Sequence, residues 1–275
     1  MKKIGFIDYY ISEWHANNYP IWIKEANEKL GEDFKVSYVW AEEEISPLDG
    51  VTTDKWCEEF GVKKCSTIEE LCEKSDYILI LAPSNPEKHL AYAKVALRYG
   101  KNTYIDKTFT PDLKTAKEIF NIAKKYGTKF FSSSALRFAN ELDGKEGAKS
   151  IITTSGGGNF PEYAVHQIEM IVRTLGIGAK AVTCEKEFDK LVCKIKYNDE
   201  RSATMIYFPF GSFGFMVTDK DGKTTAYKSV ESPFFNTLIE EILKFYISSK
   251  PCFDTSETLE IMKIRELAVN AFEKA

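Results

Sequence analysis

Through its first half the chain repeats one pattern: a short apolar run, an amphipathic stretch, and another apolar run, joined by links of a few residues. Such β-α-β repetition builds a parallel, doubly wound sheet covered by helices. Tyr77–Ala82 (YILILA) is almost uninterruptedly apolar, as a strand buried on both faces requires. Lys2–Asp8, Phe34–Trp40, Asn102–Ile105 and Lys129–Ser132 complete the expected strands. Ser66-Thr67-Ile68-Glu69 reads as a capping box opening a short helix, with serine and glutamate satisfying each other's amides. Helices over Pro86–Tyr99 and Pro111–Tyr126 stop at Gly100 and Gly127, proline early and glycine just past the end. Pro20 leaves the first helix with two readings: Pro20–Leu30 after a long loop, or a helix from near Ser12 kinked at the proline.

The second half changes character. A strand at Lys149–Thr154 and a helix at Pro161–Leu175 precede strands at Ala181–Lys186, Leu191–Tyr197, Ser202–Phe208, Phe213–Asp219 and Thr224–Lys228. Asp221-Gly222 marks a hairpin between the last two. Helices at Pro233–Ser248 and Ser256–Lys274 finish the chain. Consecutive strands imply an α+β domain with an open, mostly antiparallel sheet. The expected domains are residues 1–133 and 134–275, with the last helix free to pack back on the first.

A length of 275 residues suits two domains. The formal charge, 37 − 41 = −4, argues against a nucleic-acid partner, which would need a basic face. No run approaches the ~18 apolar residues of a membrane span. MKKIGFIDYY reads as a first strand rather than a leader, because Asp8 interrupts it. Six cysteines without a CxxC pair fit reduced thiols of a cytoplasmic protein and no metal site.

Chemistry gathers in three segments. Asp106-Lys107-Thr108 follows the strand ending at Ile105, and ligands of open α/β sheets bind beyond strand carboxyl ends. A lysine there can hydrogen-bond and deprotonate a hydroxyl. On the helix after Gly156-Gly157-Gly158, the residues Glu162, His166, Glu169 and Arg173 share one face, opposite Val165, Ile168, Val172 and Leu175. The imidazole can act as acid or base, and Glu162 can orient it or meet substrate hydroxyls. A solvated polar face explains the same spacing. The turn Ala82-Pro83-Ser84-Asn85-Pro86 closes the central strand.

Taken together, these segments resemble the Gfo/Idh/MocA oxidoreductase family. Asp106-Lys107-Thr108 stands where that family has Glu-Lys-Pro. Gly157-Gly158, then Glu162 and His166, stand for its glycine pair, aspartate and histidine. Ala82-Pro83-Ser84-Asn85 resembles its Thr-Pro-Asn turn, and Ser134-Ala135-Leu136-Arg137-Phe138 its Asn-x-Arg-Phe linker. The resemblance implies a Rossmann-type first domain and a nicotinamide cofactor, NAD or NADP. It implies a small polyhydroxylated substrate: a sugar, sugar derivative or cyclitol. Lys107, His166 and Glu162 would be catalytic, and Asp8, Tyr10, Ser12, Glu42, Pro83, Asn85, Asp106 and Arg137 would line the cofactor side. It also implies a homo-oligomer, for which the aromatic stretch Tyr207–Phe215 offers apolar area.

The pattern breaks at the first loop. Where the family has Gly-x-Gly-x-x-Gly, this chain reads Asp8-Tyr9-Tyr10-Ile11-Ser12-Glu13-Trp14, and Gly5 belongs to the strand. Asp8 adds charge and Tyr10 bulk where a pyrophosphate should approach backbone. Glu42 follows the second strand and would hold ribose hydroxyls, favouring NAD over NADP; a solvated acidic loop accounts for it equally. The leading expectation is an NAD(P)-dependent dehydrogenase. Its rival is a non-catalytic binding or regulatory protein that has lost ordinary dinucleotide binding.

Overall fold

The computed structural model describes residues 1–275. The chain forms two compact units, Met1–Ser133 with Asn236–Asp254, and Ser134–Phe235 with Thr255–Ala275. In the first, β1 (Lys2–Tyr10), α1 (Trp14–Leu30), β2 (Phe34–Glu43), α2 (Thr53–Phe60), β3 (Lys63–Lys64), α3 (Ile68–Lys74), β4 (Tyr77–Ile80), α4 (His89–Ala96), β5 (Thr103–Ile105), α5 (Leu113–Tyr126) and β6 (Phe130–Ser132) follow in turn. Their strands form one six-stranded sheet in the order β3-β2-β1-β4-β5-β6, with every pair parallel. This is the doubly wound arrangement, and its strand order reverses between β1 and β4. Ile78, Leu79, Ile80 and Leu81 are fully buried, which explains their unbroken apolar run. Gly5 lies inside β1 because α3 crosses it closely: a Cβ there would come within 2.5 Å of Leu71 and Ser75 side-chain atoms.

Several local expectations shift. The first helix takes the second of its two readings, starting at Trp14 and passing through Pro20. The capping box moves one residue along: Thr67 is the N-cap, accepting from the Glu70 amide at 3.1 Å, while the Glu70 carboxylate takes the Ser66 amide at 2.7 Å. The sequence reading passed over α2 and β3, both too short to show a period.

In the second unit, β7 (Ser150–Ser155) leads through α6 (Phe160–Leu175) to β8 (Ala179–Glu187), β9 (Lys190–Tyr197), β10 (Ser202–Tyr207), β11 (Gly214–Thr218) and β12 (Lys228–Ser229). The helices α7 (Phe234–Ser248) and α8 (Ser256–Phe272) end the chain. The sheet order is β12-β11-β7-β10-β9-β8. Only β7 and β10 pair in parallel; the other pairs are antiparallel. The expected strand at Thr224–Lys228 shrinks to a bridge from Thr218 to Thr224 and the two-residue β12. Ile151, Ile195, Met205, Phe215 and Val217 pack with Ile168, Ile171, Ile261 and Ile264 of α6 and α8 in one core. Ile152, Thr204, Ile206 and Met216 alternate with these buried residues and are half-buried or exposed. The aromatic stretch is divided in its packing: Phe215 is fully buried, Tyr207 meets Phe160 edge-on, and Phe210 is exposed.

Most of α7 belongs to the first unit, although sequence order groups it with the second. Its buried face (Leu238, Ile239, Ile242, Leu243, Phe245, Tyr246) supplies the reason. Tyr246 stacks on Tyr77 at 4.6 Å, and its hydroxyl donates to the Ile78 carbonyl at 2.7 Å. No helix is long and apolar enough to cross a membrane.

The six cysteines are not all thiols. Cys184 and Cys193 face each other across β8 and β9, their Cα atoms 4.1 Å apart, and form a disulfide. The pair was hidden in the sequence because only the strand register brings the two together. Cys57, Cys65 and Cys72 are buried thiols and Cys252 an exposed one. Burial pushes Cys57 and Cys65 up to about 11 and Cys72 up to about 12, so all three stay protonated and slow to react. Thiol titration without reductant should therefore find only Cys252 reacting fast in the native protein, four thiols after unfolding, and six after reduction. Six thiols in the unfolded, unreduced protein would contradict the pairing.

Candidate active site

At the point where strand order reverses, the ends of β1 and β4 are joined by a carboxylate. Asp8 Oδ1 accepts the Tyr9 amide at 2.7 Å and the Ala82 amide at 2.9 Å. Ala82 holds a left-handed backbone (φ 59°), unusual for a residue with a Cβ, and in it presents its amide to Asp8. Asp8 is 1% exposed, and its second oxygen has no hydrogen-bond partner. Burial and the nearby Glu13 carboxylate push its pKa well above the usual carboxylate range.

The helix start beside it is equally self-contained. Glu13 is the N-cap of α1, accepting from the His15 amide at 2.8 Å and from the Ala16 amide. Burial raises its pKa despite opposing contributions from His15 and the two amides. His15 Nδ1 bonds Asp106, and the ring stacks on Tyr19 with centroids 5.2 Å apart. Tyr104 donates to Asp106 at 3.3 Å and to the Ser133 carbonyl at 2.7 Å. For Asp106, burial works upward but the His15 charge and hydrogen bond outweigh it, so its pKa is lowered. Asp106, expected on the cofactor side, is thus a buried anchor for α1. Sequence reasoning missed Glu13 and His15, and the signal available was an acid two residues before a histidine at the opening of an apolar helix.

The other residues expected near a cofactor also have partners within this unit. Ser12 donates to Asp49 at 2.7 Å. Tyr10 ends β1 opposite Glu43. Glu42 bonds Lys88 and accepts from the Tyr92 hydroxyl at 2.7 Å; burial works against ionisation, but these two bonds lower its pKa. Asn85 reaches Glu87 at 3.1 Å. Lys107, half-buried just past β5, donates to the Pro83 carbonyl at 3.3 Å, and the peptide after it is cis. His89, fully buried, holds the Phe109 carbonyl at 2.8 Å and the Leu81 carbonyl. It pins the turn before Pro83 to the segment following Lys107.

In the second unit, Asn159 caps α6 and bonds Glu162 twice, through its amide and its carboxylate, each at 3.0 Å. One turn on, His166 Nδ1 lies 2.6 Å from the Ser134 hydroxyl, with Tyr163 and Phe213 edge-on to the ring. The rest of the polar face is tied to protein partners. Glu169 is buried, accepting from the Ser134 amide at 2.8 Å and pairing with Arg137 at 3.3 Å. Arg137 also bonds Glu257, and Arg173 donates to the Arg137 carbonyl at 2.6 Å. Arg137, expected on the cofactor side, is an ion-paired strut fastening its segment to α6 and α8.

Residues 35–134 match the sequence model of GFO_IDH_MocA, an oxidoreductase family with an NAD-binding Rossmann fold. Over this stretch the chain is similar to the Gfo/Idh/MocA family. The matched stretch starts beyond β1 and α1, the elements that carry the altered loop. A stretch of 62 residues is 40% identical to the uncharacterized oxidoreductase YhhX of Escherichia coli K12, spanning 22% of this chain and 18% of that protein. Solved structures agree in fold over nearly all of it. GenD2 from gentamicin A biosynthesis, in complex with NAD, has a TM-score of 0.77 at 14% identity, covering 98% of this chain and 94% of its own. Biliverdin reductase from Synechocystis sp. PCC 6803, in complex with biliverdin and NADP+, gives 0.72 at 16% identity, covering 98% of each chain. UDP-N-acetylglucosamine 3-dehydrogenase from Acidithiobacillus ferrooxidans gives 0.74 at 12% identity, covering 98% and 97%.

A dinucleotide in a Rossmann fold rests its pyrophosphate on the first helix N-terminus. The residues here do not fit that pose. The Glu13 carboxylate already occupies the amides, and Asp8 beside it is a second buried acid that offers a phosphate no positive charge.

Raised acids make stability depend on pH. A carboxyl whose pKa is raised by folding contributes stability that is full below its unfolded value, near 3.8 for Asp8, and is lost as pH rises through the folded value. Asp8→Asn keeps the acceptor for both amides and removes the titration. Its melting temperature should equal the parent's near pH ~4 and exceed it by about 2–4 °C near pH ~8. A gain that does not grow with pH would show that Asp8 is not held protonated.

Proposed function

We propose that this chain is an oxidoreductase acting on a secondary hydroxyl of a sugar, sugar derivative or cyclitol, and that Lys107 and His166 handle the proton of that hydroxyl. The observation that carries the reading is the 2.6 Å contact between Ser134 and His166 Nδ1. It fixes the ring and makes Nε2 the nitrogen that exchanges a proton with substrate. Lys107 stands beyond β5, with its amine directed by the Pro83 carbonyl, where it can hydrogen-bond a hydroxyl oxygen and favour its ionisation. Glu162, one turn before His166, would bind neighbouring hydroxyls. The dehydrogenase names among the structural relatives agree with this chemistry. Any nicotinamide cofactor would be NAD rather than NADP, because Glu42 places a carboxylate at the end of β2, where a 2′-phosphate would lie.

A second reading, a polyol-binding protein without redox turnover, is favoured by the carboxylate seated on the α1 amides. One pair of measurements separates the two: calorimetry with a panel of sugars and cyclitols, and NADH formation from NAD at about millimolar concentration. The oxidoreductase reading predicts turnover that Lys107→Ala or His166→Ala lowers by about 10²–10⁴. Polyol binding weakened by both substitutions, with no turnover in the parent, selects the second reading. Polyol binding and turnover that neither substitution affects would overturn both.

A further inference from the structure

Helix N-termini attract anions because their first amides lack partners within the helix. At the start of α1 the amides of His15, Ala16 and Asn17 are engaged internally. Glu13 N donates to the Ile11 carbonyl at 2.9 Å, His15 N and Ala16 N donate to the Glu13 carboxylate, and Asn17 N donates to the Glu13 carbonyl at 2.9 Å. The cap is 5% exposed, so it is packed in place and does not sweep through solvent. Asp8 lies at the adjacent strand end, its Oδ1 bridging β1 to β4 and its Oδ2 buried without a partner. The loop between them is tied down as well, since the Ser12 hydroxyl donates to Asp49 and the Ser12 carbonyl accepts from the Ser46 hydroxyl.

We propose that Glu13 is an internal stand-in for a pyrophosphate, and that Glu13 and Asp8 together exclude dinucleotides from the seat at the start of α1. A phosphate reaching those amides must evict a buried carboxylate that already makes the bonds it would make. It must then sit beside Asp8, a second buried acid that brings no positive charge to offset the phosphate's own. A seat already filled, with no cation beside it, rejects an anionic ligand. The inference takes from the family resemblance only the place of a pyrophosphate, and it bears on the readings above: with that seat closed, NAD-dependent turnover is not expected, and the polyol-binding reading without redox turnover takes its place.

ADP-ribose, which carries the pyrophosphate without the nicotinamide, is the probe. Calorimetry should show no saturable binding to the parent protein up to about 1 mM. Asp8→Gly/Glu13→Gly empties the seat, and glycine is tolerated at an N-cap. This variant should bind ADP-ribose at least about tenfold more tightly than the parent. Asp8→Asn/Glu13→Gln, which keeps the side-chain volumes and removes both charges, should shift affinity in the same direction and serves if the glycine variant fails to fold. Micromolar binding by the parent would overturn the proposal. So would folded variants, judged by an unchanged far-ultraviolet spectrum, that bind no better than the parent. Loss of sugar binding in the Lys107 or His166 variants would leave this result untouched, because ADP-ribose probes neither residue.

Discussion

The carboxyl group of Asp8 sets the geometry of the first unit's carboxyl edge. By accepting the amides of Tyr9 and Ala82 it joins the two strands between which the sheet order reverses, where an open α/β sheet normally leaves a crevice. With that bridge in place β1 continues to Tyr10, paired with β2 as far as Glu43, instead of breaking into a glycine turn. The chain then reaches α1 through Ile11, Ser12 and Glu13, and the helix caps itself. His15, one residue into that helix, answers to Asp106 at the end of β5. Three strand ends and a helix start are therefore tied by carboxylates where a nucleotide-binding fold usually offers amides.

The strands and most helices of the first unit were legible because their signals are local. YILILA is apolar because β4 is buried on both faces, and Gly100 and Gly127 end helices because a left-handed residue closes each. What could not be read depends on distant partners. Glutamate is a poor N-cap signal, so the sequence leaves the start of α1 ambiguous, and the Glu13 carboxylate on the amides of His15 and Ala16 fixes it. His15 and Asp106 are 91 residues apart, and neither alone announces a pair. The Cys184–Cys193 bridge follows from register, and the grouping of α7 from the aromatic contacts of Tyr246.

The proposed site was legible by residue type but only partly by role. Lys107 and His166 stand out because lysine beyond a strand end and a scarce histidine on a polar helix face carry recognisable chemistry. Glu169 and Arg173 share the same spacing signal, yet their side chains, with that of Arg137, fasten one segment of the second unit to α6 and α8. Spacing on a helix reports which residues share a face and says nothing of what covers that face.

The central claim is that the chain's own carboxylates hold the place of a dinucleotide's pyrophosphate. A crystal structure of the protein soaked in about 10 mM NADH tests it most directly, at a concentration that would fill even a weak site. The account predicts the Glu13 carboxylate on the amides of His15 and Ala16, the Asp8 bridge to Ala82 intact, and no phosphate density at the start of α1. A pyrophosphate on those amides, with Glu13 turned away, would contradict it.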